Sequence, residues 1–101
     1  MSDPVCVLVT FTAKPGKEQE AERTLKSFLA PTHQEEGCLS YSVHRRKDKP
    51  GTYYFIEKWR SQADLDKHLK SSHIKSALVR FPELFDVSDL GMIEPLSLIH
   101  I

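Results

Sequence analysis

Four residues with chemistry to offer crowd the stretch 57–73, EKWRSQADLDKHLKSSH: Glu57, Trp59, His68 and His73. An imidazole titrates near neutral pH and can take or return a proton, which is what general acid or base work requires. A carboxylate on a strand between aromatic neighbours either finds a partner or takes up a proton itself. Glu57 is therefore open to two roles. It could orient an imidazole, as the third group of a catalytic triad does, or form an ion pair with Lys58, Arg60 or an arginine across the hairpin. His68 and His73 are five positions apart, about 140° around a continuous helix, unlike the i, i+4 pair that clasps one metal ion, so no metal site is expected. If Ser71 and Ser72 break the helix, His73 turns back toward the pocket of His68. The alternative is that the imidazoles only bond backbone carbonyls at the break.

Aromatic residues surround this set. Trp59 suits either a core or the wall of a flat apolar pocket, and the hydroxyls of Tyr41 and Tyr53 could donate to a developing oxyanion. The chain has no Gly-rich phosphate loop, metal constellation or dinucleotide fingerprint, so no cofactor is expected and an oxygenase here would draw its electrons from the substrate. A quinol or enediol deprotonated by a histidine is a strong enough reductant to pass an electron to dioxygen, and a dry aromatic pocket protects the reactive pair. With no oxygen involved, the same base would abstract a proton beside a carbonyl and run an isomerisation.

The elements that must position these residues follow from the apolar pattern. With 101 residues the chain is expected to be a single domain, residues 1–101. Val5 to Ala13, VCVLVTFTA, reads as a strand with no face clearly meant for water, closed by the turn Lys14-Pro15-Gly16. Ala21, Leu25, Phe28 and Leu29 mark one amphipathic helix over 16–32. Strands over 38–46 and 52–59 flank the polar turn 47–51 and make a hairpin. On the second of these, Tyr53, Phe55, Glu57 and Trp59 share a face. Ser61 with Asp64 resembles a capping box at the head of a helix over 62–70. A further helical piece over 73–81 ends at Pro82, an irregular stretch covers 86–91, and 92–99 reads as a last strand.

The order β, α, β, β, α, β with right-handed crossovers gives a ferredoxin-like α+β fold, a four-stranded antiparallel sheet with helices on one face. The other face then needs a cover, and a second copy of the sheet is the simplest, which predicts a homodimer. Fourteen basic residues balance fourteen acidic ones without blocks of either sign, so neither nucleic acid nor a membrane surface is an expected partner. The opening residues, MSDPVCVLV, lack a charged segment followed by a long apolar run, and Cys6 and Cys38 form no metal or disulfide pattern. A cytoplasmic protein with free thiols is expected.

Lys14-Pro15-Gly16 before the first helix, Glu36-Gly37-Cys38 with Tyr41 entering the second strand, Glu57-x-Trp59 closing the third, and His68 followed by His73 together resemble the antibiotic-biosynthesis monooxygenase domain. That family is a dimeric α+β barrel whose members include small quinol monooxygenases and an isomerase of autoinducer-2 degradation. The resemblance implies a cofactor-independent monooxygenase acting on a small quinol or another electron-rich aromatic or enediol, with dioxygen as co-substrate. Alternatives are a hydroxyketone isomerase using the same base, or a non-catalytic dimer that binds a small ligand. One pocket per subunit is expected, with His68 as the preferred proton acceptor, His73 and Glu57 beside it, and Trp59, Tyr41, Tyr53 and Phe55 as substrate-binding walls. Haem-degrading members carry their helical Trp and iron-ligating His where this chain is similar in register but has His68 and Leu78.

Overall fold

The computed structural model describes residues 3–96. Its elements run β1 (Val5–Ala13), α1 (Glu18–Lys26), α2 (Leu29–His33), β2 (Cys38–Arg45), β3 (Thr52–Trp59), α3 (Gln62–Leu69), α4 (Ser72–Leu78), α5 (Phe81–Leu84) and β4 (Phe85–Ile93). The strands form one antiparallel sheet in the order β2-β3-β1-β4, the ferredoxin-like arrangement expected from the element order.

The sheet's two faces are unequal. Register pairs Val7 with Glu57, Val9 with Phe55 and Phe11 with Tyr53, and these side chains point under the helices and are buried. Their alternates, among them Ile56, Val87 and Ile93, lie on the opposite face and are 46%, 49% and 45% exposed. The helices meet the inner face with Ala21 and Leu25 of α1, Phe28, Leu65 of α3 and Ile74 of α4. Burying a side chain the size of Leu25 or Phe55 contributes about 1.5–3 kcal/mol, so this single core carries most of the fold's stability.

Where the chain departs from its sequence pattern, backbone chemistry explains why. The helix expected over 16–32 is two helices, because Pro31 has no N–H to give the carbonyl of Ser27 and its ring crowds that carbonyl. The chain turns at Ser27–Phe28 and α2 restarts with Pro31 in its first turn, where a missing N–H costs nothing. Pro82 does not end a helix over 73–81. Helix α4 stops at Leu78 and Pro82 sits in the first turn of α5. The last strand begins at Phe85, so 85–91 is not irregular; Asp86, Ser88, Asp89 and Gly91 are poor strand formers, but pairing along β1 holds them on an exposed edge. Of the strand expected over 92–99, only 92–93 is in β4, 94–96 is irregular, and 97–99 lies outside the described residues.

Among the described residues no helix is long and apolar enough to cross a membrane. Cys6 and Cys38 are free thiols.

Candidate functional site

Strand β3 delivers the first group. Its alternation turns Phe55, Glu57 and Trp59 inward, and at 5% exposure Glu57 is among the few buried charged side chains. No cation meets it among the described residues. Arg60 instead donates Nε and Nη2 to Asp64, at 2.9 and 3.0 Å, so the ion pair considered from sequence does not form. Glu57 has Trp59 Nε1 as a donor to Oε1 at 2.9 Å. Burial raises the carboxyl against the lowering effect of that bond, and with the charge of Glu35 nearby it is pushed up to about 7.

Helix α3 delivers the second. Ser61 caps it, Oγ accepting from Asp64 N at 3.2 Å, and the helical period then points Leu65 and His68 inward together. His68 is 2% exposed, its ring tilted over Trp59 at 4.5 Å between centroids and edge-on to Tyr41 at 5.4 Å. Its Nδ1 lies 2.7 Å from Glu35 Oε2. An ionised carboxylate only accepts, so the proton of a neutral His68 sits on Nδ1, and Nε2 keeps a free lone pair.

The helix break considered at Ser71 and Ser72 is present. Ser71 is extended (φ −67, ψ 154), its Oγ donates to the carbonyl of His68 at 2.7 Å, and α4 restarts at Ser72. The redirected chain brings the ring of His73 to 5.8 Å from that of His68. His73 Nε2 shares a 3.0 Å hydrogen bond with Thr32 Oγ1 and lies 3.7 Å from Glu35 Oε2. Burial lowers this imidazole from its ordinary value; the Glu35 charge opposes the shift and the neighbouring His68 adds to it.

Between sheet and helices lies a cavity of about 200 Å³. Phe55, Phe28 and Phe81 give it aromatic walls, Phe28 stacking on Phe55 at 5.9 Å and on Phe81 at 6.1 Å, with interplanar angles of 17° and 20°. Leu78 and Leu90 add apolar sides, and the ionisable groups lining it among the described residues are Tyr41, Glu57 and His68. Burial first, then the charge of Glu57, raises Tyr41 far above the ordinary phenol range, so its hydroxyl stays protonated as a donor. A cavity with aromatic and aliphatic walls accepts a small flat apolar molecule, and a base beside a carboxyl near neutrality can move that molecule's protons.

The structure thus brings Tyr41, Phe55, Glu57 and His68 to one cavity. Trp59 lies behind His68 rather than on the cavity wall, and His73 does not line the cavity either but stands behind it, against Glu35, the His68 ring and Phe28. Tyr53, expected as a substrate wall, does not line this cavity: its hydroxyl donates to Glu22 Oε2 at 3.2 Å and to the Glu18 carbonyl at 3.4 Å, under α1. Glu35 is the residue that sequence reasoning missed. It holds the imidazole in the way considered for Glu57, yet stands 33 positions from His68, where no local period could reveal it.

Residues 4–80 match the family described as antibiotic biosynthesis monooxygenase. The Mycobacterium tuberculosis protein Rv0793, provisionally named a monooxygenase, is 31% identical over 84 residues, covering 83% of this chain and 82% of that protein. An uncharacterized Synechocystis protein, sll1783, is 30% identical over 82 residues that cover 81% of this chain, which spans only 56% of that relative's length. The crystal structure of PA3566 from Pseudomonas aeruginosa superposes with a TM-score of 0.87 at 33% identity, covering 96% of this chain and 98% of that one.

Proposed function

The chain belongs to the antibiotic biosynthesis monooxygenase family, and from that premise we propose that it is a cofactor-independent monooxygenase of small quinols or similar electron-rich aromatics and enediols, working as a homodimer. The observation that carries this reading is the Glu35 carboxylate 2.7 Å from His68 Nδ1, behind an imidazole that lines an aromatic-walled cavity.

A quinol in the cavity, against the aromatic wall that includes Phe55 and Phe28, gives its hydroxyl proton to His68 Nε2, and Glu35 stabilises the imidazolium that results. The quinolate passes one electron to dioxygen, and the semiquinone and superoxide combine to form a carbon–oxygen bond. The peroxide takes the proton back from His68. Loss of the proton on that carbon to a base, with cleavage of the O–O bond, then releases water, so quinol and dioxygen give hydroxyquinone and water. Glu57 is suited to protonating the departing hydroxide, because burial keeps its carboxyl titrating near neutrality. The apolar walls exclude bulk water from the radical pair.

Oxygen uptake with a panel of quinols and hydroxyketones, together with product mass under ¹⁸O₂, tests the proposal. One labelled oxygen in the product supports it. The neutral-range carboxyl beside a base also suits proton shuttling along a hydroxyketone, and turnover without oxygen uptake would establish that isomerase reading instead. Binding without turnover of any compound would make the chain a ligand-binding member of the family.

The homodimer is supported by the outer sheet face, where Ile56, Val87 and Ile93 stand exposed with no helix over them. A second sheet laid on that face would bury on the order of 2,000 Å².

A further inference from the structure

We propose that Glu35, His68 and His73 bind one divalent transition-metal ion, of the zinc or cobalt type, and that this ion silences His68 as a proton acceptor.

Glu35 Oε2, His68 Nδ1 and His73 Nε2 all lie within 4.8 Å of one another, the carboxylate oxygen 2.7 Å from the first nitrogen and 3.7 Å from the second. Ligands about 2.0–2.1 Å from a tetrahedral ion stand about 3.4 Å apart. Both measured separations are therefore within about 1 Å of the bound geometry, one opening and the other closing. Two imidazoles and one carboxylate are the donors of first-row transition metals, whereas magnesium and calcium take oxygen. Three protein ligands leave a fourth position for water. The break at Ser71 removes the objection that the five-residue spacing raised, since the two rings sit on different helices.

The ion has a way in. The side chains of Glu35 and His73 are 22% and 20% exposed, and Glu35 borders a surface groove with Glu36, Asp64 and Lys67, separate from the aromatic cavity. Binding displaces Thr32 Oγ1 from His73 Nε2 and the proton from His68 Nδ1. That proton moves to Nε2, the imidazole stays neutral, and Nε2 changes from acceptor to donor. A metal-loaded subunit can no longer take a substrate proton at His68, and this second clause rests on the base role proposed above.

Titration of the full chain with cobalt(II), followed by its visible d–d bands, and with zinc(II) by calorimetry, tests the site without any turnover. The expected result is one ion per subunit, with affinity falling about 10²-fold or more in Glu35→Gln and in His73→Ala, while His44→Ala at the exposed hairpin leaves it unchanged. Equal affinity in all four proteins, or no 1:1 complex, overturns the site. Nitrogen-15 NMR of the His68 ring reads the second clause directly: zinc should convert Nε2 from an unprotonated to a protonated signal, and an Nε2 left unprotonated overturns the silencing. If zinc protonates Nε2 yet oxygen uptake continues, the metal site stands and the assignment of His68 as the base falls.

Discussion

Glu35 and His68 are 33 positions apart in the chain and 2.7 Å apart in the fold, and that pair fixes which imidazole nitrogen meets the cavity. Replacing Glu35 by Gln leaves a side chain that can also donate, so His68 loses its fixed tautomer and the charge that steadies its imidazolium. Turnover should fall by about 10–10², mainly in kcat, with circular dichroism unchanged. A change confined to KM would place Glu35 in substrate binding.

His68→Ala removes the base itself. Oxygen uptake on a responsive quinol should drop by about 10² or more while sedimentation still shows a folded dimer. Unchanged activity with a melting temperature several degrees lower would mean that His68 only fills the space between Trp59 and Tyr41.

The Glu57 carboxyl should make the fold less stable as pH rises. Its folded value near 7 is above the ordinary 4.5, so between those limits the folded state holds the proton more tightly than the unfolded one. The group's stabilising contribution is full below 4.5 and is lost by about pH 7. Burial sets this balance first, the Trp59 N–H on the same strand works against it, and the charge of Glu35 in the loop before β2 adds to it. Glu57→Gln should therefore be the more stable protein at pH 8, by on the order of 2 kcal/mol, with the advantage shrinking toward pH 5. Thermal melts of both proteins across that range check the sign.

Trp59→Phe removes the donor that favours the ionised form of Glu57. The carboxyl should titrate higher still, seen as an upward move of the Glu57 side-chain carbon-13 midpoint. A downward move would mean that the Trp59 N–H has little hold on the charge.

On the outer face, Ile56→Asp places a charge at the centre of the proposed sheet-to-sheet contact. The parent should sediment as a dimer at micromolar concentration and the variant as a monomer. A monomeric parent would leave the outer face without its proposed cover.

Alternation on β1 and β3, the Ser61 cap and the turn around Gly51 are all legible in the sequence, because each depends on neighbours within a few residues. That is why strand and helix periods alone are enough to turn Phe55, Glu57 and His68 toward one side. Edge strand β4 is only partly legible, since Asp86 to Gly91 are held by pairing with β1 and not by their own preferences. The site follows the same division. Local period aims His68 inward, but Glu35 and Thr32 reach the two histidines only through tertiary packing, and Tyr53, which shares a face with Glu57, ends up under α1 because a strand face spans more than one environment.

Gly37 follows Glu35 by two residues, and a Cβ there would lie 2.2 Å from Asp64 Cγ, while the Gly37 carbonyl accepts from Arg60 N at 2.8 Å. The segment carrying Glu35 is thus seated without clearance on the first turn of α3, which carries His68. Loop and helix travel as one body. A guest that enters the cavity therefore meets an imidazole whose carboxylate partner is already in place, with no loop left to fold over it first.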